Sequence, residues 1–406
     1  MSQLNQQAPS ATQANQKDDA KLDELLARLQ SLTGNGPAHA PVSAPVEEVT
    51  IDTETTFVPR SPKTFDEAGI NDSMLEELIS KFLLARGEAT MRSISQQVRL
   101  PFSLVEPVVS RMKQEQSLGY AGQAAANDYL CRLTETGRER AKRFSDICSY
   151  FGSAPVTFED YIESVKNQTI NNQNPTEEDL KRAFSDLLIN PLMLRKLGPA
   201  VNSGRGMFLY GYPGNGKTSI AERVTSSFGK YIWVPRAIQI DRDIVRLFDP
   251  MNHEEAPLDL KNGYLSDDSI DLRWVRIKRP TIVVGGELKL EHLEIQYNAH
   301  SGVSEAPVQM KSNCGTLVID DFGRQQCTVD ELLNRWIVPL EKRYDYLNTS
   351  SGKKVQVPFD QLVIFSTNLE PKDLVDDAFC DGSHTKSRCQ TLRDLTSKSC
   401  FRLCAR

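Results

Sequence analysis

The run Gly211-Tyr212-Pro213-Gly214-Asn215-Gly216-Lys217-Thr218-Ser219 follows directly on the apolar residues Met207-Phe208-Leu209-Tyr210. It fits the P-loop pattern G-x-x-x-x-G-K-[ST], placed where a strand would hand over to a helix. Polyphosphate chemistry uses each part. Gly211, Gly214 and Gly216 let the backbone curl and turn its N–H groups toward phosphate oxygens. A helix beginning near Lys217 adds its positive end. Lys217 is expected against the β- and γ-phosphates, and Thr218 is expected to offer its hydroxyl to Mg²⁺.

Two downstream runs extend this chemistry. Thr316-Leu317-Val318-Ile319-Asp320-Asp321 is a buried-strand pattern ending in paired acids. In a parallel sheet those acids reach the edge that carries the P-loop. Asp320 is then expected to hold Mg²⁺ as the Walker B aspartate, and Asp321 to orient or deprotonate an attacking water. Leu362-Val363-Ile364-Phe365-Ser366-Thr367-Asn368 is a second such strand. Its Asn368 would reach the γ-phosphate and the water between Lys217 and Asp321. Read singly, each run is equally a strand closed by a polar turn, because Asp, Asn and Gly suit turns.

As a set these residues resemble the AAA+ ATPases, over about residues 172–379. Lys217 and Thr218 match Walker A, Asp320 matches Walker B, and Asn368 matches the sensor 1 position. The resemblance implies an α/β core with a mostly parallel five-stranded sheet, a ring-shaped homo-oligomer (commonly a hexamer), and ATP hydrolysis with Mg²⁺ at subunit interfaces. Asp321 departs from the family pattern, standing where most members carry Glu. Some helicase-loader and initiator relatives also have paired Asp, which implies an active but slow site.

Lys217 and Asp320 are about 100 residues apart, more than one βαβ step and a strand require. Part of the excess, Arg279-Pro280-Thr281-Ile282-Val283-Val284-Gly285-Gly286, reads as a β-rich insertion with a hairpin at Gly285-Gly286. A helix is expected from Val329 to about Lys342 by apolar periodicity. Tyr344-Asp345-Tyr346-Leu347 and Lys354-Val355-Gln356-Val357 flank Asn348–Gly352 and predict a second hairpin before the sensor strand. A hairpin there resembles the branch holding magnesium chelatases and minichromosome-maintenance helicases, where such hairpins face a central pore. Surface decoration is the other reading.

Composition sets outer limits. The 406 residues suit two or three domains, and 39% hydrophobic with 25% charged residues fits a water-soluble globular chain carrying a polar tail. A formal charge of -6 excludes a polycation that coats nucleic acid indiscriminately. No apolar run approaches a membrane span and no signal pattern opens the chain, so the expected place is the cytoplasm, with no membrane partner. The 8 cysteines lack C-x-x-C pairs and the 5 histidines are dispersed, which argues for reduced thiols and against a zinc site.

Residues 1–62 read as a disordered tail, rich in Gln, Ala, Ser and Pro, with one amphipathic helix over 17–32. That helix either docks on a partner or neighbouring subunit or packs on its own chain. Residues 63–147 resemble a winged helix. Helices are expected over Asp72–Leu84, Met91–Val98 and from Ser103, where Ser103 and Glu106 form a capping box and Pro107 falls in the first turn. Extended pieces Ser117–Gln123 and Tyr129–Leu133 follow, and then a helix through Phe144. Charge in this region is balanced apart from Arg138, Arg140, Lys142 and Arg143, so a protein client and a DNA partner both remain open.

Residues 148–175 read as a linker and 176–379 as the ATPase core. Residues 380–406 lose apolar periodicity and hold half of all the cysteines. They read as an aberrant or out-of-frame tail standing where the family has an arginine finger and a helical lid, which predicts weak nucleotide turnover. Arg324, Arg335 and Arg343 are the other candidates to act on a neighbouring subunit, with surface salt bridging as the plainer alternative.

Overall fold

The structure, a computed structural model, describes residues 57–124, 128–171, 173–187, 191–202, 206–211, 216–257, 269–368 and 400–403. The helix expected over 17–32 and most of the carboxyl-terminal tail lie outside these residues.

The first described segment runs α1 (Phe65–Ala68), α2 (Asp72–Arg86), β1 (Glu88–Thr90), α3 (Met91–Val98), α4 (Phe102–Gln114), β2 (Leu118–Ala124), β3 (Asp128–Leu133) and α5 (Glu135–Ile147). β3 lies between β1 and β2 and is antiparallel to both. Leu75, Ile79, Ile94, Val105, Val109 and Cys131 close one apolar cluster among these elements. Asn71, Thr90 and Thr134 cap α2, α3 and α5, each side chain accepting a backbone N–H of the first turn.

The start of α4 differs from the sequence expectation. Pro101, extended at ψ 142°, is its N-cap and gives no side-chain bond. Ser103 therefore sits inside the helix and the Ser103–Glu106 capping box does not form. Pro107 consequently falls in the second turn, where its missing N–H removes an intrahelical bond.

β4 (Val156–Thr157) and α6 (Phe158–Asn167) occupy the stretch read as a linker. Tyr161 and Val165 of α6 are buried, so this stretch is part of the packed structure. Its apolar residues are too few and too short in run to announce a helix by period alone.

The site-bearing region continues with α7 (Glu177–Ala183), α8 (Pro191–Asn202), β5 (Met207–Gly211), α9 (Lys217–Ser226), β6 (Tyr231–Pro235), β7 (Ala237–Ile240), β8 (Asp243–Arg246), β9 (Trp274–Lys278) and β10 (Thr281–Val284). After a 3₁₀ turn at Leu290–Leu293 come β11 (Gln296–Asn298), β12 (Val303–Glu305), α10 (Val308–Lys311), β13 (Thr316–Ile319), α11 (Val329–Lys342), β14 (Tyr344–Asn348), β15 (Lys354–Pro358), β16 (Leu362–Thr367) and β17 (Cys400–Leu403).

One parallel sheet has the order β10-β13-β16-β5-β17. β5, β13 and β16 read as near-continuous apolar runs because both of their faces are covered. Met207, Leu209, Val318 and Ile364 pack on the side of α7, α8 and α9. Phe208, Leu317, Ile319, Val363 and Phe365 pack on the side of α11, around the fully buried Trp336.

Thr281–Val284 belongs to this sheet, and no hairpin forms at Gly285-Gly286. The run pairs in parallel with β13, which lies far ahead in sequence, and the chain turns at Gly285 toward the 3₁₀ segment. The excess length between Lys217 and Asp320 instead builds the antiparallel pair β6–β9 and most of a second, mixed sheet, β11-β12-β8-β7-β4, which β4 completes from the stretch before it.

β14 and β15 form the antiparallel hairpin before β16. Its tip is tied down, because Ser350 donates through both its backbone N–H and its hydroxyl to the Asp243 carboxylate, at 2.8 and 2.6 Å.

Arg273 joins the amino-terminal elements to the rest. Its guanidinium is paired with Asp271, both side chains 3% exposed, and donates to the carbonyls of Ala68 and Pro155. Among the described residues, no helix is long and apolar enough to cross a membrane.

Candidate functional site

Strand register dictates which residues meet. β16 lies between β13 and β5, with Ile319 opposite Phe365 and Thr367 opposite Tyr210. One step further along each strand puts Asp320 opposite Ser366 and Asn368 opposite Gly211. Parallel strands end at one edge, so residues a hundred positions apart are brought within two strand spacings, roughly 10 Å.

The contacts follow that register. Lys217 is the first residue of α9 and is 9% exposed. Its Nζ donates to Asn368 Oδ1 at 2.9 Å and to the Gly211 carbonyl at 3.2 Å. Asn368 Nδ2 in turn donates to Asp321 Oδ1 at 3.2 Å. An ammonium, an amide and a carboxylate thus form one chain at the carboxyl edge of the sheet. Three separate sequence motifs meet there.

The loop that presents Lys217 begins at Gly211, the last residue of β5, and ends at Gly216, where φ is +70°. The left-handed conformation at Gly216 suits glycine, which has no Cβ to clash with its own backbone. Tyr212, Pro213, Gly214 and Asn215 lie outside the described residues. Thr218 and Ser219 sit half-buried in the first turn of α9. α9 runs alongside β13, as the bond from Thr225 Oγ1 to Thr316 Oγ1 at 2.8 Å records. No direct contact joins Thr218 to Asp320 among the described contacts.

The two acids differ in setting. Asp320 is half-buried, and its Oδ1 accepts from Ser366 Oγ at 2.7 Å and from the Asp321 backbone N–H at 3.0 Å. Asp321 is exposed and takes φ +48°, an uncommon conformation for a residue with a side chain and one that Asp tolerates better than most. Phe322 holds that turn in place. It is 2% exposed and packs edge-on to Phe365 at 4.9 Å, while its backbone N–H donates to the Ser366 carbonyl and its carbonyl accepts from Thr367 Oγ1.

Ser366 is a site residue that the linear reading missed. It is fully buried and bonds the carboxylate of Asp320 directly. A polar residue ending an apolar run two positions before Asn368 is the available signal, and only the pairing of β16 with β13 gives it meaning.

Of the arginines considered for action on a neighbour, two are engaged within the chain. Arg335 is paired with Asp345 at 2.5 Å and with Glu294 at 3.1 Å. Arg343 donates to the Gln361 carbonyl and to Asn171 Oδ1. Arg324 is exposed beside the Asp321 turn.

Mg²⁺ prefers oxygen ligands and usually keeps several waters. No group of three or more His, Cys, Asp or Glu residues suited to a metal ion exists among the described residues. The oxygens of Asp320 and Thr218 fit a cation whose remaining ligands come from phosphate and water.

No protein-family model and no curated protein matches this chain. Among solved structures it is similar to a crystal structure of NtrX from Brucella abortus, at 14% identity over 56% of this chain and 40% of that one, with a TM-score of 0.31. A crystal structure of the same protein in complex with ATP aligns at 15% identity over 56% and 39%, with a TM-score of 0.28. A complex between subunits BchI and BchD of magnesium chelatase, based on a cryo-EM reconstruction, aligns at 16% identity over 54% of this chain and 64% of that one, with a TM-score of 0.30. The chain thus spans less than two thirds of the length of these structures. At such TM-scores the similarity does not decide how this chain folds or what it binds, and any functional reading rests on its own residues.

Proposed function

We propose that this chain is an ATP-binding AAA+-type ATPase that couples ATP binding and hydrolysis to remodelling of a protein partner. The chain of bonds from Lys217 through Asn368 to Asp321, across three sheet strands, is the observation that carries this reading. In it Gly211 to Ser219 form the phosphate loop, with Tyr212, Pro213, Gly214 and Asn215 supplying its backbone. Lys217 exchanges its bond to Asn368 for the β- and γ-phosphate oxygens of ATP. Asn368 holds the attacking water, and Asp321 accepts its proton. Asp320 and Thr218 would hold Mg²⁺, which supplies charge neutralisation on the phosphates. Ser366 orients the Asp320 carboxylate.

The amino-terminal elements, residues 63–147, are read as a winged-helix-like adaptor, and a homo-oligomeric ring is the proposed working form. A protein client is favoured over DNA because the basic cluster on α5 is partly neutralised. Arg140 pairs with Glu76 at 2.7 Å and with Glu115 at 3.4 Å. ATP turnover by the full chain, measured against protein concentration, tests the proposal. Turnover that rises cooperatively with concentration supports it. Absence of both ATP binding and turnover at every concentration refutes it.

A further inference from the structure

A groove of about 720 Å³, lined by none of the residues assigned to the nucleotide site, lies among the amino-terminal elements. One wall is α3 from Arg92 onward, with Arg99–Pro101 and the start of α4. The other is Ser61–Lys63 with Ile270 and Leu272. This second wall is braced, since Ser61 N–H donates to the Ser269 carbonyl and Asp271 N–H to the Pro59 carbonyl, both at 3.1 Å. The buried Asp271–Arg273 pair fixes the same segment. Both walls are therefore held before any ligand arrives.

The charge of the groove is opposite to that of the chain. Lys63, Arg92 and Arg99 line it and no Asp or Glu does, although the whole chain carries -6. Among the described residues, none of these three side chains has a carboxylate at ion-pair distance. Arg236 stands behind them. Burial first, and then the positive charge of Arg99, hold its guanidinium below the ordinary value, although Glu255 pairs with it at 3.9 Å. Like charges gathered this way repel and are relieved by an anionic ligand.

The rest of the lining is apolar. Leu100 and Ile270 are nearly buried at its base, while Phe102 and Leu272 are each 41% exposed at its rim. We infer that this groove binds an acidic peptide segment in which carboxylates alternate with apolar side chains. An extended peptide turns successive side chains to opposite faces, so one set reaches Lys63, Arg92 and Arg99 while the other covers the apolar base. A duplex nucleic acid presents phosphates to the cations but keeps its bases stacked inside, leaving Leu100, Ile270 and Leu272 without apolar cover. The inference is independent of what the loop at Lys217 binds.

The test is fluorescence anisotropy of a short labelled peptide alternating glutamate with leucine, titrated with the full chain at low salt. Saturable binding is expected, weakened at least about tenfold in the Arg92→Glu/Arg99→Glu variant and weakened by added salt. Both arginines are exposed, and thermal melting of the variant reports whether it is folded. Lys142→Glu, an exposed charge change outside the groove, should leave binding as it was. The inference is overturned by equal binding to the folded double variant or by no binding at low salt. It is also overturned by a labelled single-stranded or duplex oligonucleotide that binds through Arg92 and Arg99 and that the peptide fails to displace.

Discussion

Lys217 Nζ and Asn368 Oδ1 meet at 2.9 Å, although 151 positions separate them in sequence. They meet because β5 and β16 are parallel neighbours whose ends lie at one edge. The amide bridges the ammonium to Asp321, so the three groups act on one small volume.

Under the proposed function, Asp321 and Asn368 belong to the turnover step rather than to nucleotide capture. Asp321→Asn should lower ATP turnover by about a hundredfold or more, the scale of losing a general base. Nucleotide affinity should change by no more than about twofold, since phosphate binding rests on the loop and Lys217. Steady-state turnover paired with equilibrium binding of Mg–ATP separates the two quantities.

Under the same proposal, Ser366 acts through Asp320, whose carboxylate it bonds. Ser366→Ala removes the hydroxyl at 2.7 Å and leaves only the Asp321 backbone N–H on Asp320 Oδ1. The Mg²⁺ concentration for half-maximal turnover should rise about tenfold, the usual consequence of losing an outer partner of a metal-binding carboxylate. A purely packing role for Ser366 would instead lower the melting temperature and leave the Mg²⁺ dependence unchanged.

Arg335 is a structural residue. Asp345 is 2% exposed and takes a two-pronged bond from the Arg335 guanidinium. Arg335→Ala strands that carboxylate and should cost about 3 kcal/mol of stability, the typical result of removing one partner of a buried pair. Chemical denaturation reads it. An unchanged denaturation midpoint with lost turnover would instead assign Arg335 to a neighbouring subunit's site.

His253 gives the fold a pH dependence. Its Nδ1 accepts from the Asp249 N–H at 3.1 Å and its Nε2 faces the Lys311 carbonyl at 2.9 Å, which fits the neutral ring. Burial holds its pKa below the ordinary 6.5. The unfolded chain therefore takes up a proton that the folded one resists, so stability is full above 6.5 and falls as the pH drops below it. Thermal melting across that range should show a decline that His253→Gln reduces. Equal declines in both proteins would remove His253 as the cause.

The residues of the site were largely legible in the sequence, because strands buried on both faces read as continuous apolar runs and the polar residues that end them stand out. α11 is legible from its apolar period, and its bounds are Val329–Lys342, with Thr328 and Glu331 capping it reciprocally. What stayed hidden depended on long-range pairing. Gly285-Gly286 suggests a turn that makes Thr281–Val284 a hairpin arm, whereas the strand's partner is β13. The mixed sheet escaped notice because its strands are two to four residues long, too short to show a period. Ser366 carried no motif, and its bond to Asp320 exists only between strands.

Calorimetric titration of Mg–ATP into the full chain and into Lys217→Ala tests the central claim most directly. The geometry predicts saturable binding by the wild-type chain and binding weakened at least about tenfold in the folded variant, because the buried ammonium that faces Asn368 is the principal cation aimed at the phosphates. Equal affinity in the two proteins would contradict it, and would leave the convergence of Lys217, Asn368 and Asp321 as a packing arrangement without a nucleotide.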